Sequence, residues 1–176
     1  TTFVLFYLMS VFTLSWATTD LGFSRRDFLI IQLFSVLFFM IAIPVSALLA
    51  DRFGRRFILV TISLLIFLFG LFFSFFFNSE SSGLVTVFSC LGMTLMGLTY
   101  GPLGTFLSEL FPTEVRYTGA SMTFNLAGIL GAAFAPMIAI WLAKNYGIAY
   151  VGFYLSGAAL LTFVSLLIIT RKTHQF

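Results

Sequence analysis

The strongest constraint on this chain is a series of apolar runs, each long enough to cross a lipid bilayer, separated by short polar connectors. Residues 57–77 contain no Asp, Glu, Lys or Arg and end in Phe75-Phe76-Phe77. A hydrocarbon core of about 30 Å needs about 20 helical residues. On that length six spans are predicted, at 2–18, 28–50, 57–77, 84–107, 117–143 and 151–170. The runs are continuously apolar, whereas a barrel strand would alternate. Within lipid each backbone N–H and C=O must be satisfied internally, which a helix does within its own segment. The expected fold is an all-α membrane protein, a six-helix transmembrane bundle occupying 1–176 as one domain.

Composition narrows the function classes. Charged residues make up 9% of the chain and hydrophobic ones 60%, with a mean hydropathy of +1.10. Soluble domains carry about 25% charge, so this chain needs membrane lipid as its solvent. Its net charge of +3 lies in connectors and span ends, where it orients a membrane protein and gives no reason to expect a nucleic-acid partner. Cys90 is the single cysteine and His174 the single histidine. They offer no intrachain disulfide, haem pair or metal-ligand set, and no cofactor is expected. An intramembrane enzyme would need paired span aspartates, a Ser–His dyad or a metal cluster, and the sequence contains none of these. A charge at mid-span costs about 2.5–3.5 kcal/mol on insertion scales and marks an ion or proton path. No span here carries one at mid-depth. If protons drive this protein, the titrating group is expected elsewhere in the complete molecule.

Short connectors make consecutive helices antiparallel neighbours. Asn78 and Gly83 mark one turn, and Asn145-Tyr146-Gly147 another. Arg52, Arg55, Arg56, Arg116, Arg171 and Lys172 fall on one side, and Arg25, Arg26 and Lys144 on the other. The positive-inside rule then puts the first group, and both chain ends, in the cytoplasm. Trp16 and Trp141 fall near the outer ends of their spans. Residues 1–17 lack the basic flank of a signal peptide and read as a true span. The chain begins Thr1-Thr2-Phe3 without Met, as expected of a piece of a longer protein.

Two places are both charged and patterned. In Ala47-Leu48-Leu49-Ala50-Asp51-Arg52-Phe53-Gly54-Arg55-Arg56, glycine allows a tight turn, Asp51 can cap or pair at a helix end, and three guanidiniums stay in water. Taken alone, the run could be a topology anchor. The second place is Tyr100 to Gly119, where Glu109 and Arg116 flank Pro112 at the junction of two apolar helices. The first run resembles the loop motif of the major facilitator superfamily. Asp51, Arg52, Gly54, Arg55 and Arg56 match it, and Ala47 replaces the usual glycine. The second resembles the junction of helices ten and eleven in the metabolite:proton symporter branch of that superfamily, with Glu109, Pro112, Arg116 and Gly119 in register. Sugar porters differ there, with a Pro-Trp pair after Gly-Pro, whereas Leu103 follows Gly101-Pro102 here.

The resemblance covers the whole chain as helices seven to twelve, the C-terminal half of a twelve-helix fold. It implies a multi-pass protein of the plasma membrane (the bacterial inner membrane), whose partners are a missing N-terminal six-helix half, a small organic substrate and protons. The implied activity is alternating-access transport of a small organic metabolite, a carboxylate or zwitterion. A sugar or drug porter, or a non-transporting or homodimeric half-protein, are the alternatives. The resemblance also implies a cytoplasmic gate in which Glu109 and Arg116 pair with one another or with the Asp51–Arg56 loop. From the residues themselves, Tyr7, Gln32, Tyr100 and Asn125 are candidates for the substrate path. The Gln32 and Asn125 amides need protein or a water-filled cavity at membrane depth, and Tyr7 and Tyr100 can offer a hydroxyl and a ring to a substrate. Gly97, Gly101 and Gly104 on one helix, and Gly128 and Gly131 on another, are candidates for close helix packing, where Pro44, Pro102 and Pro136 add kinks.

Overall fold

A computed structural model describes residues 1–77 and 81–169. They form an all-α bundle, with no strand among the described residues. Seven helical segments follow one another: α1 (Thr2–Thr19), α2 (Arg25–Phe53), α3 (Arg55–Leu71), α4 (Phe73–Phe77), α5 (Ser82–Glu109), α6 (Arg116–Tyr146) and α7 (Ile148–Ile169). Helices α1, α2, α5, α6 and α7 are long and apolar enough to cross a membrane. Helix α3, with 17 residues, nearly reaches that length. Asn78, Arg171, Lys172 and His174 lie outside the described residues, as does residue 170 at the end of the sixth predicted span.

Helix ends follow local chemistry more than hydropathy. Helix α2 begins inside the polar connector because Ser24 caps it. The Ser24 hydroxyl accepts the Asp27 N–H at 3.1 Å and donates to the Asp27 carboxylate at 2.6 Å. Arg25, Arg26 and Asp27 therefore form its first turn. Gly54 separates α2 from α3 at φ +91° and Gly147 separates α6 from α7 at φ +97°, backbone conformations that L side chains rarely adopt. Gly83, read above as a turn residue, lies in the first turn of α5. The expected unbroken span over 57–77 is interrupted at Phe72, whose ψ of 5° ends α3. The break brings Phe73 and Phe77 to full burial against Phe88 of α5, with ring centroids at 4.8 and 5.2 Å. Phe69 stacks on the same ring at 4.8 Å. Aromatic contacts of this kind contribute about 0.5–1.5 kcal/mol each beyond area burial, enough to offset one turn of irregular backbone.

The broadest helix contacts are α2 with α5 and α3 with α7, and α1 packs chiefly on α6. Exchanging the triplet α1–α2–α3 with α5–α6–α7 maps this pairing onto itself. The aromatic core lies away from the Asp51–Arg56 loop. In α6 the half distant from that loop buries Gly131, Ala135, Ala139 and Ala143, one residue per turn. Most of 116–130 is exposed, including Met122, Leu126, Ile129 and Leu130. The exposed surface of α2 is similarly apolar, with Leu33, Leu37, Met40, Ile41 and Leu48 all outward.

Candidate functional site

The two charged motifs meet in space. Gly54 ends α2 and lets α3 start at once, so the Arg55 and Arg56 side chains leave the first turn of α3. The Arg55 guanidinium donates through Nη1 to Glu109 Oε1, joining α3 to the end of α5. Its Nη2 lies 3.7 Å from Asp51 Oδ1, one turn back at the end of α2. Arg56 turns the other way. Its Nε donates to the Leu166 carbonyl at 2.9 Å and its Nη2 to the Leu167 carbonyl at 3.4 Å. A cation at the carbonyl end of α7 is favourable both as a hydrogen-bond donor and toward the helix dipole. Arg52 projects outward over the Phe53 ring, 5.4 Å from its centroid. Ala50, Asp51, Gly54, Arg55, Arg56, Phe106 and Glu109 line an open cavity of about 470 Å³.

Arg116 does not reach Glu109. Its Nε donates to the Phe111 carbonyl at 3.4 Å within its own connector, where Pro112 is exposed and its carbonyl accepts the Val115 N–H at 3.2 Å. Of the two pairings considered for Glu109, only the one with the Asp51–Arg56 loop is present in this conformation. Asp51 and Glu109 keep 69% and 51% of their side-chain surface exposed. Such pairs contribute roughly 0–1 kcal/mol each, and the cluster can therefore be broken and remade at little cost.

A second polar group lies deeper, where α1, α2 and α5 cross. Helix α1 contains a π-helical segment, Leu8–Phe12. The Gln32 amide of α2 donates to the carbonyls of Met9 at 3.0 Å and Ser10 at 2.9 Å within it. Tyr7 immediately precedes the segment, and Tyr100 lies on α5. The Tyr100 ring meets Phe39 of α2 edge to face at 5.7 Å. Asn125 lies apart from this group. It is exposed on α6 and donates to the Ser121 carbonyl of its own helix at 2.8 Å.

The glycines separate by contact. A Cβ on Gly97 would lie 2.5 Å from the Phe39 carbonyl oxygen, and one on Gly101 would lie 2.7 Å from that of Ile43 and overlap the Ser46 hydroxyl. These two set the α2–α5 crossing. A Cβ on Gly131 would overlap Phe3 of α1, one on Gly128 would meet the same ring at 3.5 Å, and one on Gly104 would meet nothing within 4 Å. Sequence reading missed Gly70 and Gly152, whose backbones touch where α3 crosses α7 beside the Ser156 hydroxyl bond to the Phe67 carbonyl (2.8 Å). Gly152 has Ser156 one turn on, with Ala149 and Ala159 near the same face, a small-residue spacing that was the available signal for this crossing.

Comparison with known proteins fits this architecture. A family model described as Major Facilitator Superfamily matches residues 1–175. The inner membrane metabolite transport protein YhjE of Escherichia coli K12 is 48% identical over 99% of this chain and 41% of its own length. A protein of Haemophilus influenzae named as a metabolite transport protein is 38% identical over 94% of the chain and 40% of its own length. A glycine betaine/proline/ectoine/pipecolic acid transporter, OusA of Dickeya dadantii, is 27% identical over 81% of the chain and 28% of its length. The chain thus spans about two fifths of the length of the first of these relatives. No solved structure matches it.

Proposed function

The chain belongs to the major facilitator superfamily, and from that premise we propose that it is the C-terminal six-helix half of a proton-coupled metabolite transporter of the bacterial inner membrane. The transported molecule is a small organic carboxylate or zwitterion, moved by alternating access between this half and an N-terminal one. The observation that carries the reading is the Arg55–Glu109 ion pair with Asp51 beside it. It ties the α2–α3 turn to the end of α5, one helix from each of two three-helix units, at the charged end of the bundle. A cluster of weak, half-exposed pairs at such a junction suits a gate, because it holds one conformation without trapping it. The resemblance to a transporter named for betaine, proline, ectoine and pipecolic acid supports a zwitterionic substrate, since each of those is a small molecule with a carboxylate and a cationic nitrogen near neutral pH. Among the described residues, Asp20, Asp27, Asp51, Glu109 and Glu114 occupy connectors or helix ends. This supports placing the proton-carrying group in the other half.

The test is uptake by the full-length protein in proteoliposomes, using a panel of betaines, cyclic amino acids and organic acids, with and without an inward proton gradient. One class should accumulate only with the gradient. Glu109→Gln and Arg55→Gln should each slow uptake by up to about fivefold, the scale of one exposed pair, at unchanged membrane abundance. Uptake of every compound at the passive rate would sink the transport reading. Wild-type rates in both variants would sink the gate.

A further inference from the structure

Gln32 lies half-buried at the crossing of α1, α2 and α5, and its hydrogen bonds limit what it can do there. A carboxamide has two N–H donors and one carbonyl acceptor. Both contacts made by Gln32 Nε2 go to consecutive backbone carbonyls of α1, Met9 and Ser10, at 3.0 and 2.9 Å. They therefore use its donor capacity, and none remains for a transported carboxylate.

The two carbonyls belong to the π-helical segment Leu8–Phe12, where the Thr13 N–H reaches back to the Leu8 carbonyl, five residues away. A π bulge adds one residue to a turn and loosens the carbonyl ladder around it. In a water-free setting, carbonyls released from that ladder need other donors. Leu8, Met9 and Phe12 are almost fully buried, so the donors must come from protein. The Thr13 hydroxyl supplies one to Met9 at 2.6 Å from within the helix. Gln32 supplies the others from α2, and it is the only side chain of a neighbouring helix recorded donating to this segment among the described residues.

We propose that Gln32 is a positioning residue: its amide holds the α1 bulge in place and thereby fixes the face of α1 on which Tyr7 lies, without itself donating to the transported molecule. The geometry behind this is simple. Successive residues of an α-helix are turned by about 100°, so removing a one-residue bulge turns everything before it by about that angle relative to everything after it. Tyr7 is the residue immediately before the bulge. With the bulge held, Tyr7 keeps its present face; with the bulge annealed, it turns by about 100° toward another helix. Phe39, two turns along α2 from Gln32, braces Tyr100 edge to face. One face of α2 thus sets both tyrosines, one through the bulge and one through a ring. The inference deepens the transport reading, since it takes Tyr7 and Tyr100 as lining the substrate path.

The experiment is site-specific photo-crosslinking in the full-length protein in native membranes, with benzoylphenylalanine in place of Tyr7, read by mass spectrometry. It requires neither a known substrate nor aqueous access. With Gln32 present, the crosslinks should concentrate on one neighbouring helix. With Gln32→Met, similar in size but unable to donate, at least half of them should move to another helix. Gln32→Leu serves if the first variant does not reach the membrane. Benzoylphenylalanine in place of Tyr100 reports on the Phe39 side and should give the same products in all backgrounds. Unchanged Tyr7 products in the Met or Leu variant would overturn the proposal. So would equal scrambling at both probe positions, which would mean general loosening. Shifted Tyr7 products in a protein that transports nothing from the substrate panel would leave the positioning role standing and overturn the transport reading instead.

Discussion

Gly101 and Gly104 sit three residues apart on α5, and they differ completely in what a methyl group would meet. At Gly101 the obstacles are largely backbone, the Ile43 carbonyl at 2.7 Å and the Ala47 nitrogen at 2.9 Å, which cannot rotate away. Gly101→Ala should therefore cost about 1–3 kcal/mol by overpacking, seen as a lower unfolding midpoint in detergent. Gly104 is exposed and meets nothing, so Gly104→Ala should be neutral or stabilising by up to about 1 kcal/mol from helix propensity alone. A loss at Gly104 in the full-length protein would mean that another part of the molecule packs there. The sequence showed both glycines as members of one small-residue face, because spacing reveals a face but not its neighbour. The same limit hid the touching pair Gly70 and Gly152, which are far apart in the chain and meet only once α3 and α7 are assembled.

At the scale of elements, the apolar runs located the helices because lipid demands continuous backbone hydrogen bonding. Their irregularities were less visible. The start of α2 was legible in principle, since Ser24 and Asp27 have the spacing of a capping box, but the charges of Arg25 and Arg26 favoured a connector. The π segment of α1 and the break at Phe72 had no local signature. Partners elsewhere in the fold accompany them, Gln32 in one case and Phe88 in the other. The Arg56 clamp on α7 is a third feature of this kind, since its acceptors are main-chain carbonyls that sequence cannot mark. Removing it should loosen the last turn of α7 specifically. Arg56→Ala should speed amide hydrogen exchange there by roughly tenfold, corresponding to a loss of about 1.4 kcal/mol for charge-assisted bonds at a part-exposed site. Arg56→Lys should fall between, because an ammonium keeps the charge but not the fork that spans two carbonyls. Exchange unchanged in the alanine variant would show that α7 is held by its packing on α3 alone.

For the whole molecule, the charged junction makes an asymmetric prediction that a mere topology anchor would not. Arg55 serves two carboxylates, Glu109 across the junction and Asp51 on its own side. Arg55→Glu would therefore gather three carboxylates around one point and leave them without their shared cation. Glu109→Arg is milder, because Asp51 remains to accept from the two guanidiniums. The order of damage should be Arg55→Glu, then Glu109→Arg, with the double swap closest to wild type. Coupling between the two sites should be about 0.2–1 kcal/mol, as for exposed pairs, and should shrink as salt is raised, since the cluster is open to water. The measurement is a double-mutant cycle on initial uptake rate and on thermal unfolding of the full-length protein, at low and high salt. A coupling that appears in uptake would assign the pair to the gating equilibrium, because uptake depends on passing between conformations with the pair made and broken. A coupling in unfolding alone would make it a structural tie of this half. Its absence from both would reduce the arginines to orientation in the membrane, the role their count alone supports.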